Sequence, residues 1–173
     1  SCAASCPSFR GCCRSCSASG IGCSGRMPAY LDFNTLHATH GRILTFATGI
    51  KLARPNLHVV VTMGDGGLGI GGAHLLSTCR RNIGITLLIL NNFNYGMTGG
   101  QFSATTPQDA RVGSGFLNQI EKPMDACRVM RAAGAGYVTR ISAYAHGLST
   151  AWRHRDGLRR RLVHRAPHVV GLS

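Results

Sequence analysis

Apolar residues in this chain come in short continuous runs rather than in alternation, and each run is closed by glycine or by a polar pair. Leu57 to Met63 (LHVVVTM) is β-branched and bounded by Pro55-Asn56 and by glycines, which predicts a strand buried on both faces. Ile85 to Leu90 (ITLLIL) predicts a second strand of the same kind. Between them, Ile70 to Arg81 (IGGAHLLSTCRR) predicts a helix. Leu75 and Leu76 are among its packing residues, and Arg80 and Arg81 lie in its last turn, where cations suit the helix dipole. Gly66, Gly67, Gly69, Gly71 and Gly72 read as a sharp turn ahead of it, open to a bulky anion. Strand, glycine turn, helix and strand make a βαβ unit with parallel strands. Further helical patterns run from Gly41 to Ala53 (GRILTFATGIKLA) and from Met124 to Ala135 (MDACRVMRAAGA). Together these elements predict an α/β fold, an open and mostly parallel sheet with helices on both faces. A chain of 173 residues can bury a single core, and no linker or repeat divides it. Ser1 to Gly20, a Cys/Ser/Ala/Gly string with no hydrophobic period, is expected to be irregular.

The strand ends carry the chemistry. Gly64-Asp65-Gly66 closes the first strand and Asn91-Asn92 the second, so a carboxylate and amide oxygens meet at the carboxyl ends of neighbouring parallel strands, where ligands of such sheets bind. Mg²⁺ takes oxygen ligands in near-octahedral geometry and keeps few protein ligands, so one Asp and an Asn pair suffice to hold it with a diphosphate. Taken singly, Asn91-Asn92 serve equally well as loop caps and Asp65 as a strand terminus. Gly64 to Gly69 also satisfies G-x-G-x-x-G, the dinucleotide signature. That reading needs an acid at the end of the second strand for the ribose. Asn91-Asn92 stand there and the next acid is Asp109, so it ranks below a metal diphosphate.

GDG, 24 residues and NN resemble the thiamine diphosphate motif. The segments Tyr95 to Gln101 (YGMTGGQ) and Ser103 to Pro107 (SATTP) resemble the stretch just after that motif in β subunits of 2-oxoacid:ferredoxin oxidoreductases. Upstream, Ile21 to Arg26 (IGCSGR), His37 to Arg42 (HATHGR) and Phe46 to Lys51 (FATGIK) are similar to the same family in the same order. Gly134 to Arg140 (GAGYVTR) extends the similarity to roughly Gly20 to Arg140. The resemblance implies the thiamine diphosphate-binding fold, over 21–140. It implies Mg²⁺ on the Asp65 carboxylate, the Asn92 side chain and the Asn94 carbonyl. Gly64, Gly66, Gly67, Tyr95, Gly96, Met97, Thr98 and Gly99 join Asp65 and Asn92 around the cofactor, with the Thr98 to Gln101 turn directing backbone N–H groups at the diphosphate. His37 and His40, three residues apart and so able to share a helix face, are placed near the cofactor or the substrate carboxylate, with Arg42 adding positive charge; a polar pair at a helix start is the plainer alternative. Family members often carry an acid directly after GDG and an Asn before the next histidine. Here Gly67 and Ala73 (before His74) stand at those places, which bears on the pocket wall and substrate preference and leaves Asp65 intact.

The implied reaction is oxidative decarboxylation of a 2-oxoacid to acyl-coenzyme A, with electrons passed to ferredoxin. Pyruvate, 2-oxoglutarate and branched-chain 2-oxoacids all remain open. Activating the thiamine ring takes a buried general acid, yet Glu121 is the one Glu in the chain and reads as loop. In the family that acid comes from the partner α subunit, and γ and δ subunits also occur, so a hetero-oligomer is implied. The family's [4Fe–4S] cluster takes a C-x-x-C, the Cys of IGCSG and a later Cys. Only Cys23 matches by motif; Cys13-x-x-Cys16 lacks the expected surroundings, no cysteine follows Cys127, and an intact ligand set is not expected. Zinc on Cys12, Cys13, Cys16 and Cys23 is weaker still.

Charge is uneven. The chain has 19 Lys+Arg against 6 Asp+Glu, formally +13, with Arg153, Arg155, Arg159, Arg160, Arg161 and Arg165 crowded at the end. An Arg-rich segment over 141–173 allows a nucleic-acid-binding reading, which predicts salt-sensitive binding that survives Asp65→Ala. A third reading is an inactive fragment that keeps only the fold. Both ends leave the family pattern abruptly, as a shifted reading frame or an incomplete gene model would produce, whereas a genuine basic tail would bind acidic partners. No apolar run is long enough to span a membrane, and the expected compartment is the cytoplasm.

Overall fold

The computed structural model describes residues 15–31, 34–142 and 168–172. Six strands form one parallel sheet: β1 (Ser15–Ser19), β2 (Asn34–His37), β3 (His58–Gly64), β4 (Thr86–Leu90), β5 (Tyr137–Ile141) and β6 (His168–Leu172). Their order across the sheet is β2-β1-β3-β4-β6-β5. The expected fold class holds. From β1 the chain steps outward to β2, then returns across β1 to β3, so the winding direction reverses between β1 and β3. In doubly wound sheets that reversal opens a crevice at the carboxyl ends of the strands.

One face of the sheet carries the apolar rows. Ala18, Val61 and Leu87 are in register across β1, β3 and β4, and Met63 pairs with Ile89 beside them. Against these rows pack Ile43, Leu44 and Ala47 of α1 (Ile43–Ala53), Leu68 of α2 (Asp65–Ile70), Leu75 and Cys79 of α3 (Gly72–Arg80) and Met130 of α4 (Ala126–Ala132). The opposite face receives the 3-10 segment Ser24–Tyr30, whose Gly25 carbonyl accepts a bond from Ser19 Oγ at 2.9 Å.

Two local expectations are corrected. The glycines after Asp65 do not form an open turn: the chain winds into α2 at once, with Gly64 extended as its N-cap. It breaks at Gly71, where a Cβ would lie 2.3 Å from the Gly41 carbonyl oxygen, so the starts of α1 and α3 touch backbone to backbone. The N-terminal segment is not irregular throughout. Cys16 to Ser19 lie in a buried strand, with Ala18 in the core on one face and Ser19 Oγ bonded to the Gly25 carbonyl on the other. At the other end, 168–172 enter the sheet as β6; Cys12, Cys13 and the arginines from Arg153 to Arg165 lie outside the described residues. Among the described residues no helix is long and apolar enough to cross a membrane.

Candidate functional site: an oxygen cluster at the switch point

At the crevice between β1 and β3 lies a cavity of about 460 Å³. Gly64 to Gly67 line it from the end of β3, Leu90 to Asn92 from the end of β4, and Ile21 to Ser24 from the turn after β1; His40, Asn94 and Tyr95 to Thr98 complete its wall. Asp65 is 1% exposed and, of the lining residues, the only carboxylate. A charge so deeply removed from water needs partners. Its Oδ2 accepts a bond from Ser103 Oγ, and Thr105 Oγ1 lies 3.3 Å away.

Its Oδ1 faces the other way, toward the Asn92 amide. One end of that amide lies 2.9 Å from Asp65 Oδ1 and 3.0 Å from the Asn94 carbonyl oxygen. With its nitrogen there, the amide donates to both. With its oxygen there, three oxygens converge with no hydrogen among them, an arrangement that a cation would stabilise.

Tyr95 closes one side. Its hydroxyl donates to the Gly66 carbonyl at 3.3 Å, and burial, with the Asp65 carboxylate adding to it, raises its pKa above the ordinary phenol value. A Cβ at Gly66 would lie 2.4 Å from the Tyr95 ring, so glycine is what lets the ring lie flat against α2. His40 sits 6.0 Å from Tyr95, centroid to centroid, and its Nδ1 is buried without a partner. A Cβ at Gly67 would lie 3.9 Å from the His40 ring, so Gly67 places no side chain against it.

Not every expected residue reaches the cavity. His37 ends β2 and His40 follows in a turn, so they share no helix face. His37 Nδ1 lies 3.0 Å from Ser19 Oγ, and because that hydroxyl gives its proton to Gly25, the imidazole is the donor. Its work is to pin the 3-10 segment over the strand ends. Arg42 is exposed and turned to the Ile70 carbonyl at 3.4 Å, away from the lining. The Thr98 to Gln101 turn is closed on itself: Gly99 and Gly100 have φ of 115° and 83°, and the Gly100 N–H is spent on the Tyr95 carbonyl at 3.0 Å rather than aimed at an anion. Thr98 remains in the wall, and Gly99 lies outside it. Ser103 and Thr105 join the site through Asp65 and Asn91; they lie in the SATTP segment that resembles the family, but nothing in that pattern assigns them a role in the site.

The described cysteines do not assemble. Cys23 is exposed at the cavity, whereas Cys16 is buried in β1 and its thiol is pushed up by burial, which disfavours the thiolate a metal needs. Among the described residues no three ligand side chains are grouped for a metal.

The model of the thiamine pyrophosphate enzyme C-terminal TPP binding domain matches residues 11–158. The chain belongs to this thiamine pyrophosphate enzyme family. The match extends beyond 21–140 at both ends, in keeping with β1 as part of the sheet. Among curated relatives, 2-oxoglutarate synthase subunit KorB of Archaeoglobus fulgidus is 56% identical over 127 residues, 73% of this chain and 48% of its own. The protein of the same name from Methanocaldococcus jannaschii is 49% identical over 144 residues, covering 83% and 53%. The 2-oxoacid:ferredoxin oxidoreductase 2, subunit beta, of Aeropyrum pernix is 41% identical over 142 residues, covering 79% and 46%. A solved 2-oxoglutarate:ferredoxin oxidoreductase from Magnetococcus marinus, with 2-oxoglutarate, coenzyme A and succinyl-CoA bound, aligns with a TM-score of 0.81 at 32% identity, over 94% of this chain and 54% of that one. The chain thus spans about half the length of the relatives it matches. In this thiamine pyrophosphate-binding domain, the oxygen cluster occupies the switch-point crevice.

Proposed function

We propose that this chain is the thiamine diphosphate- and Mg²⁺-binding part of the β subunit of a 2-oxoacid:ferredoxin oxidoreductase. The observation that carries the reading is the triangle of Asp65 Oδ1, the Asn92 amide and the Asn94 carbonyl. Its 2.9 and 3.0 Å edges match the separation of adjacent ligands, about 2.9 Å, around an octahedral ion with bonds of about 2.05 Å. The donor set therefore fits Mg²⁺, which would be held by those three residues together with phosphate oxygens. The same oxygens do not suit zinc or a soft metal.

When bound, thiamine diphosphate supplies the carbanion that takes up a 2-oxoacid and releases carbon dioxide. The chain's own residues position and screen. Tyr95 and Gly66 form a wall that keeps water from the buried carboxylate. His40 lines the cavity beside Tyr95, while its Nδ1 is buried without a partner. The lining holds no free carboxylic acid to protonate the aminopyrimidine ring, since Asp65 is committed and Glu121 is exposed in a loop. A carboxylic acid from a partner α subunit completes the site, and the acyl group leaves on coenzyme A while the electron pair leaves to ferredoxin. The described cysteines do not fit an iron–sulfur cluster. The names of the relatives favour 2-oxoglutarate among the 2-oxoacids.

The test is turnover. Co-expressed with its α subunit, the chain should support ferredoxin reduction that depends on 2-oxoglutarate, coenzyme A and thiamine diphosphate together. Equal reduction with any one of the three omitted would refute the assignment.

A further inference from the structure

Three hydroxyls between β4 and α4 are each spent on a different element of the site. Ser103 Oγ donates to Asp65 Oδ2, Thr105 Oγ1 donates to Asn91 Oδ1 at 2.7 Å, and Thr106 Oγ1 donates to the Phe93 carbonyl at 2.5 Å. All three side chains are buried, and the loop is tied to itself by Ser103 N–H donating to Thr106 Oγ1 at 2.8 Å. The loop therefore stitches the end of β3 to the end of β4. Its effect on Asp65 is asymmetric: Oδ2 is occupied by the Ser103 hydroxyl, and only Oδ1 faces Asn92 and Asn94.

We propose that Ser103 sets the cation preference of this site by holding Asp65 to a single metal-facing oxygen. The proposal rests on the reading of Asp65, Asn92 and Asn94 as a cation site. Ca²⁺ takes six to eight oxygens at about 2.3–2.6 Å and readily accepts a carboxylate through both oxygens, whereas Mg²⁺ demands a near-octahedral set at about 2.0–2.1 Å. A carboxylate whose second oxygen is held back gives one ligand at one angle, which suits the smaller ion and leaves the larger one under-coordinated. Ser103 is a positioning residue here; it touches the ligand and not the metal. Partners of this kind around metal ligands typically govern affinity by about 10–100-fold.

The deciding experiment is calorimetry on the full chain co-expressed with its partner subunit. Thiamine diphosphate is held constant, and Mg²⁺ and Ca²⁺ are titrated into wild type, Ser103→Ala and Thr106→Val. In Ser103→Ala, Mg²⁺ affinity is expected to fall at least about tenfold while Ca²⁺ affinity holds or rises, so that the preference for Mg²⁺ drops by the same factor. Thr106→Val breaks the same loop without touching Asp65; it is expected to melt earlier than wild type and to keep the wild-type ratio. An unchanged ratio in Ser103→Ala, or an equal change in Thr106→Val, overturns the proposal even though cation binding itself stands. Wild type that binds neither ion would overturn the cation site, and this inference with it.

Discussion

The two oxygens of Asp65 face different chemistry, and the residues around it are small or polar for that reason. Gly66 is the sharpest case, because a methyl group there would meet the Tyr95 ring at 2.4 Å. Gly66→Ala should push the phenol into the cavity and weaken thiamine diphosphate at least about tenfold, with the circular dichroism spectrum unchanged; wild-type affinity would show that the ring yields elsewhere. At the start of α4, Asp125 accepts from the Arg128 N–H at 3.1 Å and pairs with Arg140 at 2.5 Å. Desolvation alone would raise its pKa, but the Arg128 N–H and the Arg140 guanidinium outweigh it and hold the carboxyl below its ordinary value. A carboxyl lowered on folding stabilises above its unfolded pKa and loses that contribution as the pH falls through the folded one. Asp125→Ala should therefore cost about 1 kcal/mol at neutral pH, mainly as a lost helix cap. The difference from wild type in thermal unfolding should narrow as the pH is taken from about 5 to about 3. A gap that persists at low pH would assign the loss to packing instead.

At the scale of elements, β3, β4 and α1 were legible because their residues are apolar in the period each element requires. β1 was not. Its Cys-Ser-Ala-Ser sequence has no hydrophobic signal: Ala18 joins the core on one face while Ser19 bonds the Gly25 carbonyl on the other, and both are tertiary facts. Two of the oxygens proposed to hold the cation, on Asp65 and Asn92, could be read from two motifs at strand ends. The hydroxyl clamp could not, because Ser103 lies 38 residues from Asp65 and spacing does not reveal where a hydroxyl points. Nor could spacing reveal that His37 spends its ring nitrogen on Ser19. The core joins these elements through residues such as Leu68 of α2 and Met130 of α4, both fully buried. Met130→Ala should cost about 2–5 kcal/mol in denaturant unfolding, and a cost below about 1 kcal/mol would mean that α4 is not anchored by this side chain. The loop beyond the cavity hangs on Asn118, whose Nδ2 donates to the carbonyls of Pro107, Gln108 and Ala110 at 2.9, 3.2 and 2.9 Å. Asn118→Ala should loosen it by about 1–3 kcal/mol, with hydrogen exchange rising in 107–120 before the sheet is affected; uniform protection would contradict that.

For the whole molecule, under the proposed function the sheet supplies a metal and diphosphate site, while the described cavity lining offers no free carboxylic acid for the cofactor ring; on that proposal the chain binds alone and reacts only with a partner. The isolated chain should take up thiamine diphosphate without releasing carbon dioxide from a 2-oxoacid. Everything at this scale depends on Asp65, Asn92 and Asn94 holding Mg²⁺ for the diphosphate. Calorimetry of thiamine diphosphate binding with and without Mg²⁺, on wild type and Asp65→Asn, each co-expressed with the partner subunit, reads that dependence directly. Wild type should bind the cofactor only when Mg²⁺ is present, and Asp65→Asn should lose that binding. Binding that ignores Mg²⁺, or that survives the substitution undiminished, would show that these three residues do not hold the cation.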